Sequence, residues 1–118
     1  MLSERIRQCF ADIVAAAELI KTWIARAGGV DQAISHDILI RSAIERQLLT
    51  ISEAAVRLHK LDPLVASALA PNIDWAGVRG IGNFIRHKYD DLDAGIIADV
   101  LQNRLDELHA AASAVLSG

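Results

Sequence analysis

The fold class of this chain follows from residues 4–26, ERIRQCFADIVAAAELIKTWIAR. Apolar residues recur there every three or four positions, the spacing that places side chains on one face of an α-helix. The stripe consists of Ile6, Phe10, Ile13, Val14, Ala17, Ile20 and Ile24. Gly28 and Gly29 follow, and paired glycines favour the left-handed conformation that ends a helix. We therefore predict a first helix from about Glu4 to Arg26.

The same periodicity continues through the rest of the chain. Further helices are predicted over about Val30–Lys60, Pro63–Ala70, Trp75–Tyr89 and Ala94–Leu116. The first of these has one possible break near Ser35-His36. Asp62 and Asp74 precede two of the starts, and aspartate is a preferred N-cap residue. Pro63 stands at a first helical position, where its missing N–H costs nothing.

The absence of strand-like alternation predicts an all-α fold. We expect an antiparallel four-helix bundle with one extra short helix, in a single domain of residues 1–118. The second helical stretch carries apolar residues on more than one face, which favours a second helix layer and hence a homodimer. A well-filled monomer remains the alternative.

Composition excludes several classes of protein. Of 118 residues 53% are hydrophobic, so the chain is not disordered. The single Cys9 excludes an intrachain disulfide or a thiolate metal cluster and fits a reducing cytoplasm. No apolar run approaches the roughly 20 residues that span a bilayer, and the N-terminus shows no export signal. The net charge of −3 excludes a uniformly basic surface but leaves room for a local basic patch.

Residues 75–89, WAGVRGIGNFIRHKY, contain the chemically most informative pattern. At about 100° per residue, the polar groups Arg79, Asn83, Arg86 and His87 share one helix face. The opposite face carries the apolar groups Val78, Ile81, Phe84, Ile85 and Tyr89. Gly77, Gly80 and Gly82 each cost a helix about 1 kcal/mol relative to alanine, so we expect close approach by another helix or by a ligand.

This face suits phosphodiester chemistry. Arginine donates a planar fork of hydrogen bonds to phosphate, and histidine, with an ordinary pKa of about 6.5, exchanges protons near neutral pH. The simpler interpretation is that His87 and Lys88 interact with the helix dipole in the last turn and that Asn83 is a surface amide. The other histidines have no metal-binding spacing, so no metal or cofactor is predicted.

Four stretches of the chain carry a resemblance to a known family: residues 41–55 (RSAIERQLLTISEAA), 73–75 (IDW), the glycine-rich segment and 87–93 (HKYDDLD). The chain resembles the HepT-like family, also called domain of unknown function 86, which consists of small HEPN-domain proteins. The resemblance implies an all-α homodimer that acts as the toxin of a toxin–antitoxin module, with an MNT-type minimal nucleotidyltransferase as antitoxin. It also implies metal-independent RNA cleavage at a site shared across the dimer, with the motif Arg-x(4–6)-His-x-Tyr.

The resemblance assigns roles to particular residues. His87 would be the general base or acid at the ribose 2′-hydroxyl, and Tyr89 the tyrosine to which the antitoxin can attach AMP. Gly82 stands where the motif arginine normally does, directly before Asn83, so Arg79 or Arg86 would supply the guanidinium, and we favour Arg79.

Asn83, Arg86 and Lys88 would bind RNA. The alternative is a non-catalytic partner that presents Tyr89 or its helix to a nucleotidyltransferase, and a third possibility is a purely structural dimer.

Overall fold

A computed structural model describes residues 2–86 and 92–118, with the backbone alone at residues 92 and 93. Within these ranges every regular element is a helix, which confirms the predicted all-α class. The elements are α1 (Glu4–Ala27), α2 (Val30–Ser35), α3 (Ile38–Leu61), α4 (Val65–Leu69), α5 (Trp75–Arg86), α6 (Leu92–Asn103) and α7 (Leu105–Ser117).

The end of α1 and the break between α2 and α3 lie close to where the sequence predicts them. Gly28 has a φ of 97°, and its N–H donates to the carbonyls of Ile24 and Ala25, which ends α1. The predicted break in the second stretch is confirmed, because α2 ends at Ser35 and α3 begins at Ile38. Asp37 caps α3: its carboxylate accepts from the N–H groups of Leu39 and Ile40, each at 3.1 Å.

Two boundary predictions are wrong. The short helix begins at Val65 instead of Pro63, because the Asp62 carboxylate accepts from the Leu64 N–H at 3.0 Å in a turn that precedes it. The last helical stretch is two helices, separated at Arg104, whose φ is −128°. The chain changes direction there because α6 packs on α2 whereas α7 packs on α1.

The helices pack around α1 and α3. α1 contacts α3 and α7, and α3 also contacts α5. Near the end of α1 Lys21 pairs with Asp106 at the start of α7 (3.0 Å), and near its start Arg7 donates to the carbonyl of Leu116 (3.2 Å). α1 and α7 are therefore antiparallel.

The largest buried side chains come from α1 and α3. Those with no more than 2% exposure include Phe10, Ile13, Ile20, Ile44, Leu48, Ile51 and Leu58, and each contributes about 1.5–3 kcal/mol of hydrophobic stabilisation. α1, α2 and α5 of the same chain cover most of α3. The breadth of its apolar surface is thus explained within one chain, except at the two ends of α3, where Ile38, Leu39 and Leu61 are 72%, 79% and 36% exposed.

Candidate functional site

The start of α5 is held by a cap and by one aromatic side chain. The Asp74 carboxylate accepts from the Gly77 N–H at 3.0 Å, so Asp74 is the predicted N-cap. Trp75 is buried, its indole N–H donates to the Ala70 carbonyl at 3.0 Å, and its ring lies edge-on to Phe10 with the centroids 6.0 Å apart. These contacts fix where α5 leaves the preceding loop and tie it to α1.

The two predicted faces of α5 are present in its described part. Val78 is buried, and the apolar side chains of Ile81, Phe84 and Ile85 pack against the core. Asn83 and Arg86 are exposed, and Arg79 is half-buried. We call Arg79, Asn83 and Arg86 together the α5 polar face. His87, Lys88 and Tyr89, the other residues of the predicted site, lie outside the described residues.

The two arginines of the α5 polar face have different surroundings. Arg86 pairs with Glu53 of α3 at 3.7 Å, and both side chains are about half exposed, at 51% and 45%. No carboxylate in residues 2–86 or 94–118 lies within ion-pair distance of the Arg79 guanidinium. Arg79 therefore has the less neutralised charge of the two among the residues that the structure describes.

A buried serine of α3 joins the backbone of α5. Ser52 is 2% exposed, and its hydroxyl donates to the Arg79 carbonyl at 2.7 Å and accepts from the Gly82 N–H at 3.0 Å. We call this pair of hydrogen bonds the Ser52 bridge. The sequence pattern alone indicates no role for Ser52. One signal in the sequence points to Ser52: it is a polar residue within the apolar stripe of Leu48, Ile51 and Ala55.

The close contact with Ser52 favours glycine at position 82. A Cβ atom at position 82 would lie 2.7 Å from Ser52 Oγ, 3.1 Å from Ser52 Cβ and 3.2 Å from Leu49 Cδ1. The close approach that we expected at Gly82, by another helix or by a ligand, is thus made by α3 of the same chain. At the position where the resemblance places the motif arginine, a side chain therefore fits only if Ser52 and Leu49 shift.

The other two glycines of α5 have different neighbours. A Cβ atom at Gly77 would meet the carboxylate of Asp74 at 2.5 Å, whereas one at Gly80 would have no atom of the described residues within 4 Å. Among the three glycines only Gly80 thus keeps open space for an approaching ligand or second chain.

A cavity of about 390 Å³ lies on the apolar side of α5, between this helix and α6 and α7. Its walls are mostly aliphatic, and its polar side chains include Asp99, Arg104 and Glu107. Arg79, Asn83 and Arg86 do not line this cavity, so it forms no part of the α5 polar face.

The described residues outside α5 present no metal-binding constellation. His36 lies 3.6 Å from an Asp31 oxygen and His109 lies 3.5 Å from a Glu18 oxygen. In residues 2–86 and 94–118 no group of three or more histidine, cysteine or acidic side chains is arranged to hold an ion. None of the described helices combines the length and the apolar character needed to cross a membrane.

Comparison with known proteins identifies the family. A model of the family described as ribonuclease HepT-like matches residues 13–115, which are most of the chain and include all of α5. A search among curated proteins and a search among solved structures each found no match. The resemblance drawn from the sequence is thus confirmed, and the chain belongs to the ribonuclease HepT-like family.

Proposed function

We propose that this chain is a ribonuclease toxin of a toxin–antitoxin module and that it cleaves RNA without a metal ion. The observation that carries the proposal is the family match over residues 13–115 together with the α5 polar face. From Trp75 to Tyr89 the sequence contains three cationic side chains and no carboxylate. This segment is a local positive region in a chain of net charge −3, suited to hold RNA phosphates.

In the proposed reaction His87 takes the proton from a ribose 2′-hydroxyl. The 2′-oxygen attacks the neighbouring phosphorus, the bond from phosphorus to the 5′-oxygen of the next nucleotide breaks, and that oxygen gains a proton. The products are a 2′,3′-cyclic phosphate and a free 5′-hydroxyl. A guanidinium that donates to the phosphate oxygens stabilises the additional negative charge that develops during attack.

Arg79 is our choice for this guanidinium. Arg86 already faces the Glu53 carboxylate, which offsets part of its charge, whereas Arg79 has no carboxylate partner in the described part of the chain. Asn83, Arg86 and Lys88 are proposed to bind the RNA on either side of the cleaved bond.

The assembly and regulation belong to the same proposal. We propose that residues 1–118 form one domain built on an antiparallel four-helix bundle, that two such domains associate as a homodimer in the cytoplasm, and that each site contains residues of both copies. An MNT-type nucleotidyltransferase would act as antitoxin and attach AMP to Tyr89. Space beside Gly80 and the exposed apolar residues Ile38 and Leu39 support association with a further chain.

The decisive experiment compares the purified chain with His87→Ala on a labelled single-stranded RNA in excess EDTA. We expect cleavage by the parent and a loss of about 10²–10⁴-fold in the variant, the range that a general acid–base group contributes. His59→Ala is the matched control, because His59 is exposed at the end of α3. Equal cleavage by the His87 variant would refute the assigned site.

A second function is favoured by one observation, the absence of space for an arginine at Gly82. The chain would then be a non-catalytic partner that a nucleotidyltransferase binds and modifies. This alternative predicts no RNA cleavage by the parent, stable co-purification with that enzyme, and a mass increase in multiples of AMP when ATP is present. Tyr89→Phe should abolish the mass increase.

A further inference from the structure

Ser52 stands out in the described core because its side chain is polar and fully buried. A buried hydroxyl without partners destabilises a fold, but here both hydrogen-bonding functions of the hydroxyl are satisfied. Both partners belong to α5: the Arg79 carbonyl at 2.7 Å and the Gly82 N–H at 3.0 Å. The bridge thus joins the middle of α3 to one turn of α5.

This arrangement differs from the usual behaviour of a helical serine. Serine within a helix commonly bonds the carbonyl four residues earlier in its own helix, and Thr50 does so here, with the Arg46 carbonyl at 3.2 Å. Ser52 instead bonds groups 27 and 30 residues away. Two bonds of defined direction to one turn restrict both the rotation of α5 about its axis and its sliding along α3.

The Ser52 bridge also depends on the small size of Gly82. Because a Cβ atom at position 82 would lie 2.7 Å from Ser52 Oγ, any larger residue displaces the hydroxyl or moves α5 outward. The Arg79 carbonyl, one of the two bonded groups, is part of the residue whose guanidinium we assign to the phosphate. A shift of this turn therefore moves the base of the Arg79 side chain.

We propose that Ser52 is a positioning residue for Arg79 and that Ser52 and Gly82 form a coupled pair, so that arginine at position 82 alone is not tolerated. The contact between the two residues stands on geometry, whereas the role in positioning Arg79 rests on the proposed action on RNA. The two parts are tested separately.

The contact is tested by thermal unfolding of Ser52→Ala, Gly82→Ala and the double variant. We expect each single variant to lower Tm and the double variant to lower it by less than the sum, because removing Oγ creates room for the new methyl group. Ser42→Ala, at an exposed position of α3, is the matched control and should combine additively with Gly82→Ala. Additive behaviour of the Ser52 and Gly82 changes would overturn the pairing, whatever the activity.

The positioning role is tested by RNA cleavage well below the melting temperature. Ser52→Ala should lower kcat by up to roughly 10²-fold, as for a misplaced catalytic group, and should raise KM by no more than Arg79→Ala does, whereas Ser42→Ala should change neither. Parent-like kcat in Ser52→Ala would overturn the role.

If the parent does not cleave RNA, the proposed function fails by itself. The positioning role is then decided by fluorescence anisotropy with the same RNA, where Ser52→Ala should weaken binding as Arg79→Ala does. Unchanged affinity of Ser52→Ala would refute it.

The Gly82→Arg variant is an independent test of the contact between positions 52 and 82. It restores the motif arginine, yet we expect a lower Tm and no gain in cleavage, because the side chain enters the space that Ser52 occupies. A Gly82→Arg variant that melts at the parent temperature and cleaves RNA faster would contradict the proposal.

Discussion

Glu53 offsets part of the charge on the α5 polar face, which we propose to bind RNA. Its carboxylate lies 3.7 Å from Arg86, and both side chains are about half exposed. An exposed ion pair of this kind is worth about 0–1 kcal/mol, so it contributes little to the fold. It does, however, place a negative charge beside the proposed phosphate site.

We therefore predict that Glu53→Gln strengthens RNA binding. Removing the carboxylate leaves Arg86 free to face phosphate, and the gain should be up to roughly fivefold, from the value of an exposed pair. Fluorescence anisotropy at two salt concentrations measures it, and the gain should shrink at the higher one. Glu4→Gln, in the exposed first turn of α1, is the control, and an equal effect of both changes would argue against the local explanation.

For individual side chains, the sequence predicted the two faces of α5 but did not predict the Ser52 bridge. Helical periodicity correctly separates Asn83 and Arg86 from Val78, because the direction of a side chain on a helix depends only on its position. The partner of Ser52 lies 27 to 30 residues away on another helix, and the spacing of residues within one helix does not encode that contact. His87, Lys88 and Tyr89 remain predictions.

The ends of the helices were predictable where a residue has a local effect on the backbone. Gly28 ends α1 with a φ of 97°, and Asp37 and Asp74 cap α3 and α5 through hydrogen bonds to nearby N–H groups. The separation of α6 from α7 at Arg104 contains neither glycine nor proline. Its signals are weak: Asp106 and Glu107 lie in the first turn of α7, where acidic residues favour a helix start. Tertiary packing on α2 and α1 decides this break.

Gly28 provides a test of the α1 end. We predict that Gly28→Ala lowers the free energy of unfolding by about 1 kcal/mol or somewhat more, because a side chain with a Cβ atom is disfavoured at a φ of 97°. Urea unfolding followed by circular dichroism measures the change. Gly95→Ala, in α6 with nothing within 4 Å of the added methyl group, is the control and should not destabilise the chain. A stable Gly28→Ala variant would mean that the end of α1 does not need the left-handed conformation.

The whole molecule is long relative to its width, with extents of 44, 27 and 21 Å. This shape follows from α1 and α3, each of 24 residues, which at 1.5 Å per residue are about 36 Å long. The sequence predicted α1 to within one residue, and it predicted α3 as the longer part of the stretch Val30–Lys60, which has a possible break near Ser35-His36. The homodimer and the bundle remain predictions, since one chain cannot show which surface a second copy covers.

Gly80→Ala tests association through α5. Alanine should stabilise the single chain by about 0.5–1 kcal/mol, because the position is helical and the added methyl group has nothing within 4 Å. If the α5 helices of the two copies meet closely in the proposed homodimer, the same methyl group weakens the dimer. Sedimentation velocity over a concentration series should show a higher dimer dissociation constant for Gly80→Ala and a parent-like one for Gly95→Ala. Unchanged association in both variants would place any dimer contact elsewhere.

The Ser52 bridge also constrains the order in which positions 52 and 82 of this chain can change over evolutionary time. A descendant of this chain that acquires arginine at position 82 while keeping serine at position 52 passes through a poorly packed intermediate, because both side chains need the same space. A smaller residue at position 52 must come first, and by itself it gives up the hydrogen bonds to Arg79 and Gly82. Neither single step is an improvement, so a change from glycine to arginine at position 82 of this chain crosses a fitness valley.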